Sequence, residues 1–203
     1  MVIVRQSPDD GQHTVYSVGH SNQPLEHFLG LLYQHDIQTV VDVRTAPYSR
    51  FNQQFNREAI SAALNDAGFA YRFLGADLGG RPNGDHFYDF EGHVRYDRLA
   101  LSPEFRRGVE TLKKVSLLGR SAMLCSEADP AQCHRHLLIA RVLDEERITV
   151  IHIYPDGSIK PYSNVALTTP NQKSLFDEDE EESTWRSPLS VLRDTQPNPS
   201  FRD

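Results

Sequence analysis

Strands alternating with amphipathic helices over residues 14–162 predict an α/β domain of three layers, a mostly parallel sheet of about five strands flanked by helices. Three observations carry this reading. Short, largely apolar runs recur along the chain, at 15–18, 39–43, 70–73, 121–124 and 149–153, and the run at 39–43 is rich in β-branched residues. Apolar residues at helical spacing lie between most of them. Each run also ends on polar or reactive residues, as strands do where they meet a ligand at the carboxyl edge of a parallel sheet.

In chain order, residues 1–13 read as a flexible leader with neither the basic start nor the long apolar core of a secretory signal. Val15-Tyr16-Ser17-Val18 is the first strand, followed by the polar turn Gly19-His20-Ser21-Asn22. Leu25, Phe28, Leu29 and Leu32 then mark one face of a helix. Thr39 to Val43 is a strand that carries Asp42 and delivers Arg44 and the Pro47-Tyr48-Ser49-Arg50 loop. Asn56 is placed to cap a helix whose apolar face is Ile60, Ala63, Leu64 and Ala67, closed by Gly68. Ala70 to Phe73 forms the third strand. The connection at 75–100, rich in Gly, Asp and aromatics, is long enough to suggest function. Ser102-Pro103-Glu104 opens a helix with Phe105, Val109 and Leu112 inward.

The segment Ser121 to Leu143 holds both cysteines. It reads as a buried strand ending at Cys125, a polar loop, and a helix capped by Asp129 with Pro130 at its first position. Thr149 to Ile153 is the fifth strand, and Pro155-Asp156-Gly157 turns toward a short sixth.

Composition narrows the class. Hydrophobic residues make up 38% and charged residues 24%, and no apolar run approaches a membrane span, which suits a soluble globular protein. Two cysteines eight positions apart form no disulfide framework, so a reducing cytoplasm is expected. Residues 170–203 hold four basic and eight acidic side chains, which leaves −3 of the −7 net charge on the body. Arginine supplies 17 of the 21 basic residues, and its planar fork suits phosphate and carboxylate.

The pieces SVGHSN, VVDVRTAPYSRFNQQFNREAI, YRFLGADLGGRP and LCSEADPAQCHRHLLIARVL, in that order over roughly residues 15–145, resemble the bacterial family known as domain of unknown function 488. The resemblance implies a three-layer α/β fold with the motif residues gathered in one pocket, and no particular reaction. The positions it brings forward are His20, Ser21, Asp42, Arg44, Asn56, Gly79, Gly80, Arg81, Cys125, Glu127, Cys133, His134 and Arg135.

Three chemistries compete for these residues. Cys125, Cys133 and His134 are candidate ligands for zinc or iron. Against this, Cys133 and His134 are neighbours in the expected helix and would diverge by about 100°. Cys125 is a candidate nucleophile, but a Cys-x5-Arg phosphatase loop needs arginine where Ala131 stands. The third is a phosphate or nucleotide pocket. There Asp42, Cys125, Glu127 and His20 are the catalytic candidates, and Ser21, Arg44, Asn56, Gly80, Arg81 and Arg135 hold the substrate. Each residue also has a plainer role: a buried Asp–Arg pair, a core thiol, or a capping histidine.

Residues 163–203 are polar and lack apolar periodicity, so a disordered acidic tail is expected. Within it, Gln172, Ser174, Leu175 and Phe176 form a Q-x-S-L-F pattern before the acidic run Asp177 to Glu182. That pattern resembles the peptide with which bacterial repair proteins dock on the sliding clamp, Leu and Phe entering an apolar pocket. The combined expectation is an enzyme acting on a nucleotide or DNA, linked to replication or repair through its tail. The competing expectation is a non-enzymatic adaptor for nucleic acid or protein, recruited the same way.

Overall fold

The computed structural model describes residues 13–165 and 185–190. Residues 1–12 of the leader, the Gln172–Phe176 pattern and the acidic run lie outside the described residues. Six strands form one sheet in the order β3-β2-β4-β1-β5-β6. They are β1 (Thr14–Gly19), β2 (Thr39–Asp42), β3 (Ala70–Phe73), β4 (Ser121–Cys125), β5 (Thr149–Ile153) and β6 (Ile159–Pro161). The first five run parallel, and β6 returns antiparallel to β5. The short sixth strand completes the sheet through the Asp156-Gly157 turn, where Gly157 adopts φ 81°.

Alternation along the strands divides the core into two layers. Val40, Ala122 and Leu124 face α1 (Leu25–Gln34) and α2 (Arg57–Asp66), packing on Phe28, Leu32, Ile60 and Leu64. Val41 and Met123 face the opposite side, where they meet Phe105, Val109 and Leu112 with Leu137 to Leu143. The connection at 75–100 contains two one-turn helices, α3 (Gly75–Leu78) and α4 (Tyr96–Leu99), before α5 (Pro103–Ser116). Ser102 caps α5, its hydroxyl accepting from Phe105 N at 3.2 Å.

The chain after β1 and β2 goes to one face, and the chain after β4 goes to the other. The carboxyl end of β4, between β1 and β2, is therefore a topological switch point, where such sheets open a crevice.

The segment after β4 departs from the expected continuous helix. Asp129 does cap, its Oδ1 accepting from Ala131 N at 3.0 Å, but only a three-residue 3₁₀ turn, Pro130–Gln132, follows. Cys133 is extended, with φ −123° and ψ 140°. A π-helix, Arg135–Ala140, then runs into α6 (Arg141–Glu145). Wider turns of this kind are rare and recur at functional sites. Asn56 precedes α2 but makes no side-chain cap; its Oδ1 accepts from Ser49 N at 2.7 Å and pins the loop after β2.

Part of the region read as tail is docked on the body. Trp185 O accepts from Tyr96 N at 2.8 Å, its indole Nε1 donates to Leu137 O at 2.5 Å, and Arg186 bridges to Arg95 as an isolated antiparallel pair. Among the described residues, no helix is long and apolar enough to cross a membrane.

Candidate functional site

The carboxyl edge of the sheet carries two adjoining clefts. One, of about 410 Å³, has Cys125, Glu127, His134, Gly80 and Arg81 in its lining. The other, of about 300 Å³, is lined by His20, Ser21, Asn52 and Asn56 among others. Arg44, Ala46 and Ser126 border both. The single expected pocket is thus two.

In the larger cleft β4 delivers Cys125, and the break between the 3₁₀ turn and the π-helix delivers Cys133 and His134. Cys125 Sγ, Cys133 Sγ and one ring nitrogen of His134 all lie within 4.8 Å of one another. His134 Nδ1 is 3.5 Å from Cys125 Sγ and 3.8 Å from Cys133 Sγ. The objection from helix geometry falls, because extended Cys133 turns its side chain to the same point as its neighbour's. A tetrahedral site with metal–sulfur bonds of about 2.3 Å has edges of roughly 3.5–3.8 Å, which the two nitrogen–sulfur separations match.

The ring orientation is fixed from behind. His134 Nε2 lies 3.1 Å from the Val43 carbonyl, which only accepts, so Nε2 carries the proton and Nδ1 keeps its lone pair for the sulfurs. Gly80 makes room for this ring, since a Cβ there would stand 2.7 Å from His134 Cγ. The Arg135 amide donates to Cys133 Sγ at 3.5 Å.

Charges inside the cluster are uneven. Burial pushes the Cys125 thiol up, reinforced by Cys133, and Cys125 donates to Glu127 Oε2 at 3.1 Å. For Cys133, burial opposes ionisation but is outweighed by the Cys125 thiol and the Arg135 charge, so its pKa falls. Burial likewise opposes the charged form of His134, and its contact with Cys133 overcomes that and raises its pKa. Glu127 is held above the usual carboxylate range, by burial first and then by Cys133. Cys133 is thus the thiol poised to ionise, Cys125 holds its proton toward Glu127, and Glu127 is a carboxylate able to carry a proton beside them.

The other half of the edge is closed on itself. Asp42 and Arg44 form a bidentate pair, at 2.9 Å for Nε–Oδ1 and 2.6 Å for Nη2–Oδ2. The Tyr71 hydroxyl donates to Asp42 Oδ2 at 2.8 Å. Arg44 Nη1 donates to Phe55 O and to His20 Nε2, and His20 Nδ1 donates to Ser21 O at 2.7 Å. His20 also stacks on Phe55 with centroids 4.3 Å apart. Burial and the Arg44 charge lower the His20 pKa to about 4, so the imidazole is neutral with both nitrogens engaged.

Of the candidate anion ligands, Arg81 stands exposed at the rim, its guanidinium making no hydrogen bond or ion pair with a described residue. Arg135 is fully buried and lines neither cleft, donating to Glu127 O at 2.7 Å and Ala128 O at 3.0 Å in the loop after β4. Gly19 lets that loop pass, because a Cβ there would sit 1.8 Å from Glu127 O. Gly79 follows α3. Sequence reasoning missed Tyr71, the Val43 carbonyl, and Ser187 to Leu189 in the wall of the larger cleft. Only Trp185, a lone tryptophan in a polar stretch, hinted at the last.

Fold and site together define a doubly wound α/β protein with a two-cysteine, one-histidine donor set at its switch point. The sequence model of one family, described as domain of unknown function DUF488, matches residues 24–142, more than half of the chain, and the chain belongs to that family. No curated protein and no solved structure matches it.

Proposed function

We propose that the protein is a metal-dependent hydrolytic enzyme acting on a phosphate-bearing substrate, a nucleotide or DNA. The observation that supports this reading most is the convergence of Cys125 Sγ, Cys133 Sγ and His134 Nδ1 within 4.8 Å beside an open cleft. Zinc or iron suits this mixture of thiolate and imidazole, and three protein ligands leave a fourth position for water. Bound there, the ion supplies a water molecule acidic enough to ionise near neutral pH. Glu127, two residues after the first ligand, would be the base beside that water, its carboxylate placed to accept a proton and to give one to a leaving group. Zinc nucleobase deaminases divide the work in the same way, with a glutamate beside Cys and His ligands but not among them. Arg81 holds the anionic part of the substrate, and Arg44 with Asp42 braces the wall between the clefts.

Free thiols as ligands require a reducing compartment, so we place the enzyme in the cytoplasm. Gln172, Ser174, Leu175 and Phe176 dock it on the sliding clamp and so bring it to replication or repair sites. A peptide of residues 169–179 should bind purified clamp and lose binding in Leu175→Ala/Phe176→Ala; no binding by the native peptide would remove that link.

For the site, zinc and iron are measured in protein purified without a tag, and hydrolysis of nucleotides and single-stranded DNA is followed before and after chelation. Metal near one equivalent, turnover lost on chelation, and a Glu127→Gln variant that keeps metal without turnover are expected. Turnover that survives complete removal of the metal would sink the reading.

A further inference from the structure

The larger cleft is not completed by the span that matches the family. Residues 24–142 supply its floor and Arg81, but Ser187, Pro188 and Leu189 supply part of its wall. That short strap is firmly held. The Trp185 ring lies under the Arg141 guanidinium at 4.2 Å and edge-on to Tyr96. Arg186 Nη1 pairs with Asp89 at 2.8 Å and Glu91 at 2.6 Å. Ser187 N donates to Val94 O and Val94 N donates to Ser187 Oγ, both at 2.9 Å, and His93 Nδ1 donates to Ser187 O at 2.7 Å. So many anchors fix Pro188 and Leu189 at the cleft. Leu189 is nevertheless 72% exposed.

We propose that this strap is the specificity wall of the site, and that Pro188 and Leu189 form an apolar surface for the planar ring of a nucleobase while Arg81 takes the phosphate. This rests on the hydrolytic reading and narrows its substrate to ring-bearing phosphates. A volume of about 410 Å³ suits a group of nucleoside size. An apolar wall beside a cation has no use for a small ring-free phosphate, whereas a nucleotide covers both. The wall also explains why a leucine is held exposed by a strap whose other contacts are polar or buried.

Isothermal titration of full-length protein with AMP, CMP and ribose 5-phosphate tests this. At least one ring-bearing ligand should bind about tenfold more tightly than ribose 5-phosphate, and Pro188→Gly/Leu189→Ser should remove that preference while leaving ribose 5-phosphate affinity unchanged. Leu189→Ser alone, at an exposed position that leaves the anchors intact, should remove most of it. Equal affinities in the native protein, no binding of either nucleotide, or a preference that survives the double substitution would overturn the proposal. The titration is run on metal-loaded and metal-free protein. A native protein that binds no metal defeats the hydrolytic reading, while the ring preference of the metal-free protein judges the wall separately.

Discussion

On one side of the β2–β4 crevice, Asp42, Arg44, His20 and Tyr71 saturate one another, and no buried side-chain atom of theirs lacks a partner. On the other side, two thiols and an imidazole nitrogen crowd together, and the residues just after them leave Arg135 Nε and His136 Nε2 buried without one. Both groups stand at strand ends of a parallel sheet and both contain charge. The first uses its hydrogen-bonding capacity on itself and so braces the fold. The second keeps lone pairs directed at a shared point and is held open from behind by Val43 O and Gly80. Convergence of polar residues at a strand edge therefore marks a site only where capacity is left over.

That contrast predicts opposite responses to mutation. Asp42→Ala leaves the buried Arg44 charge without its partner and should cost about 3–5 kcal/mol in urea unfolding, with metal content per folded molecule unchanged. Cys133→Ser, assayed metal-free, should cost far less stability yet abolish metal binding. Equal stability losses for the two would erase the distinction.

Acid should act through the histidines that are buried neutral. His20 and His152 have folded pKa values of about 4 and about 3, below the usual 6.5, because burial disfavours their charged forms. A depressed folded pKa gives stability that is present above pH 6.5 and lost as pH falls toward the folded value. Each histidine should remove about 2 kcal/mol between pH 7 and pH 5, read from urea midpoints. In His152→Asn the drop should shrink by about that amount.

Smaller effects sharpen the comparison further. Gly80→Ala places a methyl against His134 and should weaken zinc affinity by about tenfold in competition with a chelator, as disturbances behind a ligand do. Arg81→Ala should change stability by no more than about 0.5 kcal/mol, since nothing described is bonded to its guanidinium, and should weaken nucleotide binding in the same titration.

Much of this architecture was legible from periodicity. Short apolar runs marked five strands, and α1, α2 and α5 were readable from apolar spacing because each buries one face against the sheet. The site residues were legible as a set but not in their roles. The mutual bidentate pairing of Asp42 with Arg44, and the contacts of Arg135 with the loop after β4, are geometry that the sequence does not display. The π-helix left no trace in the pattern, since apolar residues from Leu137 to Leu143 fit an ordinary helix as well. Nor did the break before it, where Cys133 is extended and brings its sulfur and the His134 ring to the same point, and assuming a continuous α-helix there argued against the metal. The Trp185 strap was hidden by its polar neighbours, because its anchors are backbone groups and ion pairs that composition does not reveal.

X-ray absorption at the zinc edge, on zinc-loaded protein, tests the central claim most directly. Two sulfur neighbours at about 2.3 Å with nitrogen or oxygen at about 2.0–2.1 Å are predicted, with no bound zinc in Cys133→Ser. A first shell of nitrogen and oxygen alone, or a native protein that takes up no zinc or iron, would contradict the assignment of Cys125, Cys133 and His134 as ligands.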